Sequence, residues 1–145
     1  MKIRPAAILE EEGRLLLLHY RHPGGEVYGI PGGGVEPGES LRRTLVREME
    51  EELGLEVKVE DLLLAAEAPP VEGLPRTLHL LFRCRRCGGE PEVRGEHTSA
   101  AGCCWLALES LDQVVLYPHV GASLRLALKR PGAPYVEDLP PREWR

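Results

Sequence analysis

Long apolar stretches, an excess of positive charge and internal repetition are all missing from this 145-residue chain. The N-terminus has no basic segment followed by a long apolar run. Leu15–Leu18 is far too short to cross a bilayer, which takes about 20 apolar residues. No membrane partner is expected, and the expected location is cytoplasmic. The net charge of −5 provides no overall positive field, so nucleic acid is not an expected partner on charge grounds. Neither a repeat nor a low-complexity tract is present. What the chain does have is ordinary globular composition, 43% hydrophobic, in a length that supports one domain with its own core. Residues 1–130 are expected to form that domain, with the Pro-rich residues 131–145 as a C-terminal extension of it.

The acidic residues are not spread evenly. Six of them fall between Gly33 and Leu55, GGVEPGESLRRTLVREMEEELGL, in one loop and one helix. Ser40 is a natural N-cap. Leu41, Leu45, Met49 and Leu53 recur every four residues as a core-facing stripe, and Gly54 ends the helix. Glu48, Glu51 and Glu52 stand at i, i+3 and i+4, so they share a face with Cβ atoms roughly 5–6 Å apart. Like charges at that spacing destabilise a helix and raise one another's pKa values as the site is desolvated. A hard divalent cation reverses the problem, because carboxylate oxygens suit Mg²⁺ or Mn²⁺. Arg47, next to Glu48 and one turn before Glu51, can orient a carboxylate with its planar fork. Without further context an acidic run reads as a solvated helix face.

Taken in order, Lys2 to Leu9 and Arg14 to Arg21 read as a hairpin with Gly13 in the turn. The continuous Leu15–Leu18 run suits a strand buried on both faces. His19-Tyr20-Arg21-His22 and the Gly/Pro stretch from Pro23 to Gly34 follow. Here glycines allow close backbone approach to a ligand, and Arg21 with the two histidines could touch phosphate or base. A solvent-exposed strand end is the other reading for His19 and His22.

Further strands are expected over Glu56–Ala66, Thr77–Arg85 and Gly102–Leu108, with the three prolines of residues 68–75 forcing a loop. Leu108 to Leu116 reads as a short helix. Pro118 can occupy the first position of a second helix running to Lys129, on the sheet face opposite the acidic helix. Cys84, Cys87, Cys103 and Cys104 have the count of a structural zinc site. However, adjacent residues on an extended strand point to opposite faces, so buried reduced thiols are the expectation. The Pro-rich tail, with Tyr135 and Trp144, reads as an extended strap, a homodimer contact or a loose end.

The acidic stretch resembles the signature of the Nudix hydrolase family, G-x5-E-x7-R-E-U-x-E-E-x-G-U with U aliphatic. Gly33, Glu39, Arg47, Glu48, Met49, Glu51, Glu52, Gly54 and Leu55 fill its defined positions. Chance would give such a match less than about once in a million placements. The resemblance implies an α+β fold, a Nudix-type α/β/α sandwich with a central mixed β-sheet. It also implies Mg²⁺-dependent hydrolysis of a nucleoside diphosphate linked to another group.

By the same resemblance the metal ligands are Glu48, Glu51, Glu52 and the Gly32 carbonyl, with Gly33 opening the signature beside substrate. Glu39 and Arg47 are supports. The proton acceptor is Glu52 or a loop acid, for which Glu96 is the candidate and Glu90 and Glu92 the alternatives. Tyr28 stands where the family usually has Trp. Pro69 and Pro70 fall where family members that cleave ADP-ribose often carry proline, which favours ADP-ribose, with Pro70 taken as the contact. The alternatives are hydrolysis of a nucleoside triphosphate, an oxidised nucleotide, a dinucleoside polyphosphate or an RNA 5′ end. A nucleotide sensor that binds without cutting is a different class.

Overall fold

The structure is a computed structural model, and it describes residues 1–130, 134 and 136–141. β1 (Lys2–Glu11) and β2 (Arg14–His22) form the expected hairpin, with Glu11 opposite Arg14. Glu12 and Gly13 both take positive φ, 53° and 75°, the geometry that a two-residue turn needs to match strand twist. Beyond Glu10 the two strands part. β1 continues in parallel with β5 (Thr77–Gly88), which pairs antiparallel with β4 (Glu56–Ala68). β2 pairs with β3 (Gly25–Gly29) on one stretch and with β6 (Gly102–Ala107) on another.

The gap where β1 leaves β2 is filled by Pro31–Gly33. The Ala7 amide donates to the Pro31 carbonyl at 2.8 Å, and the Gly33 amide donates to the Pro5 carbonyl at 3.3 Å. A Cβ at Gly32 would overlap the Pro5 carbonyl oxygen, so only glycine lets the loop lie this close to β1.

This mixed sheet is buried on both faces, which explains the unbroken leucine run. Leu16 and Leu18, with Ala7 and Leu9, pack under α1 (Leu41–Leu53) through Leu45, Met49 and Leu53. Leu15 and Leu17, with Ala6 and Ile8, face α2 (Gly121–Lys129) through Leu124 and Ala127. The two helices therefore cover opposite faces, and the mixed-sheet sandwich is the architecture expected from sequence. No helix among the described residues is long and apolar enough to cross a membrane.

Three local expectations change. Gly25–Gly29 is a strand rather than part of a loop, because β7 (Leu116–Tyr117) pairs with it in parallel and gives it a second neighbour. The expected helix at Leu108–Leu116 is a 3₁₀ turn over Leu108–Gln113, after which Leu116 joins the sheet. Pro118 is not the first residue of α2. It follows a cis bond to Tyr117, still held in β7, and α2 begins only after Val120. In the Pro-rich tail, β8 (Val136–Asp138) adds in parallel to β4, and Leu139 is buried on the α2 side, so residues 136–139 form a strap. Tyr135 and Trp144 lie outside the described residues.

α1 is closed at both ends as its sequence suggests. Ser40 accepts a hydrogen bond from the Arg43 amide at 3.2 Å. Gly54 takes φ 67°, donating to the Glu50 carbonyl at 3.0 Å, while the Leu55 amide reaches Met49 at 3.1 Å. A side chain at that φ costs about 1–2 kcal/mol. Gly54→Ala is therefore expected to lower the unfolding free energy by about that amount, read as a fall in urea midpoint at constant m. An unshifted midpoint would show that the cap conformation is not a stability constraint.

Candidate active site

The buried side of α1 carries Thr44, Leu45, Met49, Leu53 and one carboxylate, Glu52, which is only 6% exposed. The acids around it are gathered by Arg47. Its Nε and a terminal nitrogen grip Glu39 at 2.7 and 2.9 Å as a two-pronged pair. The other terminal nitrogen reaches Glu48 at 3.0 Å, Glu51 at 3.2 Å and Glu36 at 3.6 Å. Arg47 also donates to the Gly34 carbonyl at 3.2 Å, which ties the glycine loop to the helix.

Glu39 accepts further hydrogen bonds from the Thr44 hydroxyl and the Glu36 amide, at 3.0 and 2.9 Å. The Arg47 contact first, then these donors, hold its carboxyl down at about 2. Burial and the adjacent Glu48 charge push Glu52 the other way, up to about 8. Its Oε1 is buried with no hydrogen-bond partner.

Gly33 lies against Glu48, and a Cβ there would overlap its carboxylate. The neighbouring Gly32 carbonyl is used by neither of the two hydrogen bonds joining this loop to β1. Among the described residues no three His, Cys, Asp or Glu side chains stand ready around one ion. The expected convergence of Glu48, Glu51 and Glu52 is thus partial, because Arg47 draws Glu48 and Glu51 onto itself. The donor set nevertheless fits a hard cation. It is all oxygen, and the buried Glu52 carboxylate has an atom with nothing to bond.

The other expected residues divide. Tyr28 stacks on His19 at 5.0 Å and packs on the α2 side of the sheet, away from Glu52. Strand alternation explains this, since Tyr20, not Tyr28, faces α1. Tyr20 lies beside Thr98 and within the field of Glu52 and Glu48, and burial raises its pKa. Thr98 and Arg4 both counter the rise in the Glu52 pKa. Neither was marked by a motif, because both depend on strands distant in sequence. Arg21 is exposed on β2. Glu96 is exposed in a turn whose backbone is anchored to α1, with the Arg94 amide donating to the Glu52 carbonyl at 2.9 Å. Cys103 packs on the α1 side and Cys104 on the α2 side, as strand geometry requires.

A cleft of about 420 Å³ opens at the strand ends on the α2 side, walled by Pro69, Pro75, His79, Leu116, Tyr117 and Pro140 among others. Of the two prolines expected near substrate, Pro69 is in this wall, whereas Pro70 is exposed and is not. Arg4 joins the two regions. It donates to the Ile30 carbonyl at 2.7 Å and lies 5.3 Å over the Tyr117 ring, while its charge acts on Glu52.

The family model described as NUDIX domain matches residues 3–126. Over 128 residues the chain is 40% identical to a CTP pyrophosphohydrolase of Escherichia coli strain K12, covering 83% of this chain and 84% of that protein. It is 33% identical over 84 residues to an ADP-ribose pyrophosphatase of Methanocaldococcus jannaschii, covering 57% of this chain and 50% of that one. The chain therefore matches about half the length of the latter relative. Among solved structures, a MutT NUDIX hydrolase from Burkholderia pseudomallei shares 27% identity with a TM-score of 0.69, covering 89% of this chain and 96% of that one.

Because Glu52 is held above its ordinary value of 4.5, the folded chain binds that proton more tightly than the unfolded chain. This contribution is complete below about 4.5 and is lost as pH rises through about 8. In chelator-containing buffer the melting temperature of the wild type is expected to fall across that window, relative to Glu52→Gln. Added Mg²⁺ at the upper end should raise the wild type more than the variant. Parallel curves for the two proteins would show that Glu52 ionises freely.

Proposed function

The chain belongs to the Nudix hydrolase family, and on that premise we propose that it is a divalent-metal-dependent pyrophosphohydrolase of nucleoside diphosphates linked to a second group. The observation that carries the reading is the buried Glu52 carboxylate, partnerless at one oxygen and pressed against Glu48 under a glycine loop. Such a group is costly to keep unless a reaction uses it. Glu48, Glu51, Glu52 and the Gly32 carbonyl would hold Mg²⁺, with Mn²⁺ as the alternative. When bound, the cation neutralises the diphosphate and acidifies an attacking water.

The chain's own residues supply the rest. Glu39 fixes Arg47, and Arg47 fixes Glu48 and Glu51, so the ligands are oriented before a cation arrives. Glu52, with its raised proton affinity, accepts the proton of the attacking water. Glu96, in the turn whose backbone is anchored to α1 at Arg94, is the alternative acceptor. Arg4 stands between the acids and the cleft, where it meets the diphosphate, and the cleft lodges the nucleoside.

ADP-ribose, giving AMP and ribose 5-phosphate, is the favoured substrate, supported by Pro69 in the cleft wall and by the name of the M. jannaschii relative. CTP is the second reading, favoured by the extent of the match to the E. coli relative. A sensor that binds without cutting has no need of all three acids.

Glu52→Gln is expected to leave the fold intact and cut turnover by orders of magnitude. Glu39→Gln should cost less, roughly 10–100-fold. A panel of ADP-ribose, CTP, ATP, 8-oxo-dGTP and a diadenosine polyphosphate, with products identified by mass, names the substrate. Unchanged turnover in Glu52→Gln would remove that residue from the mechanism.

A further inference from the structure

The cleft has apolar walls, and its least explained residue is His79. This side chain stands on β5 between Arg4 of β1 and Ala66 of β4, and it is fully buried. Its ring meets the Tyr117 ring edge-on at 5.2 Å, and both line the cleft. Nε2 is buried without a hydrogen-bond partner. Buried polar groups in native folds are normally paired, and a ligand entering this cleft would supply the partner.

The state of the ring follows from its neighbours. Nδ1 faces a guanidinium nitrogen of Arg4 at 3.5 Å. Arginine has no acceptor to offer, so the nitrogen facing it must carry the lone pair. Burial first, then the charges of Arg4 and Lys2, push the imidazole down to about 3, so it is neutral across the physiological range. A neutral ring with its lone pair at Nδ1 has its proton at Nε2. Arg4 itself is held in place by the Ile30 carbonyl at 2.7 Å. The Thr77 hydroxyl, the nearest alternative on the same strand, already donates to the Pro75 carbonyl at 3.0 Å. The cleft's other imidazole, His119, is exposed, so His79 is left as the buried donor in a lining that is otherwise mostly proline, leucine, valine and a tyrosine ring. That combination suits a flat, mostly apolar ring with an acceptor on one edge, and suits neither a sugar nor a phosphate.

We propose that His79 is a specificity-determining residue for the nucleobase, donating a hydrogen bond from Nε2–H to a carbonyl oxygen or ring nitrogen on the base edge. Arg4 is its positioning residue, fixing the tautomer. The inference rests on the reading of the cleft as the nucleoside pocket.

The test is ¹⁵N NMR of the histidine rings in the full-length protein, with His79 identified by the signals missing from His79→Gln. The ring should be the Nε2–H tautomer between pH 6 and pH 8. Saturating CMP or AMP should move its Nε2 signal, whereas ribose 5-phosphate should not. In kinetics, His79→Phe should raise KM roughly five- to tenfold, the worth of one neutral hydrogen bond, with the loss falling on KM rather than kcat. His79→Gln, which keeps an N–H donor, should recover part of it. A nucleotide that binds and shifts other signals while Nε2 stays still would overturn the role of His79 and leave the hydrolase reading intact. So would an equal shift with ribose 5-phosphate. Failure of every nucleotide to bind or to be cleaved would overturn both.

Discussion

Six acidic residues can share one loop and one helix only if something answers their mutual repulsion, and in this chain the first answer is the guanidinium of Arg47. It grips Glu39 with two nitrogens and turns its third toward Glu36, Glu48 and Glu51. Glu50 is met separately by Arg94 at 3.4 Å. Among the described residues, Glu52 alone of the six has no arginine in salt-bridge reach, and it is also the one on the buried side of α1. The site is thus a balanced set of acids with one deliberate imbalance. Replacing Arg47 by lysine would keep the charge and lose the fork, so the orientation of the four carboxylates it meets would go with it.

The imbalance is held in place by the fold rather than by the helix alone. β1 and β2 part just after their hairpin, and the glycine loop occupies the opening, bonded to β1 on one side and to Arg47 on the other. Gly32 and Gly33 are both needed there for steric reasons of different origin: one abuts backbone, the other the Glu48 carboxylate. A sheet buried on both faces gives this arrangement its rigidity. Its α1 face positions the acids, and the strand ends of its α2 face frame the cleft. Arg4, on the strand shared by both, couples the two regions electrostatically.

Much of this was legible in the sequence because it is local. The α1 stripe, its Ser40 and Gly54 ends, the hairpin at Gly13 and the two-faced leucine strand each depend on residues within a few positions of one another. What was not legible depends on pairing at a distance. β3 becomes a strand only because Leu116 and Tyr117 arrive beside it, and their arrival displaces the start of α2 past Pro118. Tyr20 and Tyr28 are indistinguishable as neighbouring aromatics until strand alternation sends one to each face. Arg4, Thr98 and His79 carry no motif, since each acquires its meaning from a partner on another strand.

Glu52 and His79 pose the same physical question in two chemistries. Each is a buried polar side chain with one atom unbonded, and each is kept in its less charged form by its surroundings. They differ in what would satisfy them. A carboxylate beside another carboxylate gains most from a cation, because the attraction grows as the site dries. A neutral imidazole beside a fixed guanidinium gains nothing from a cation and needs an acceptor instead. The two unfilled valences therefore specify opposite ends of one ligand: a polyphosphate that brings its own counter-ion to the acids, and an uncharged ring edge that enters the cleft. Arg4 bridges those demands, since it contacts the cleft residues His79 and Tyr117 and its charge also acts on Glu52. A nucleotide meets both demands at once, whereas inorganic polyphosphate or a free base meets only one.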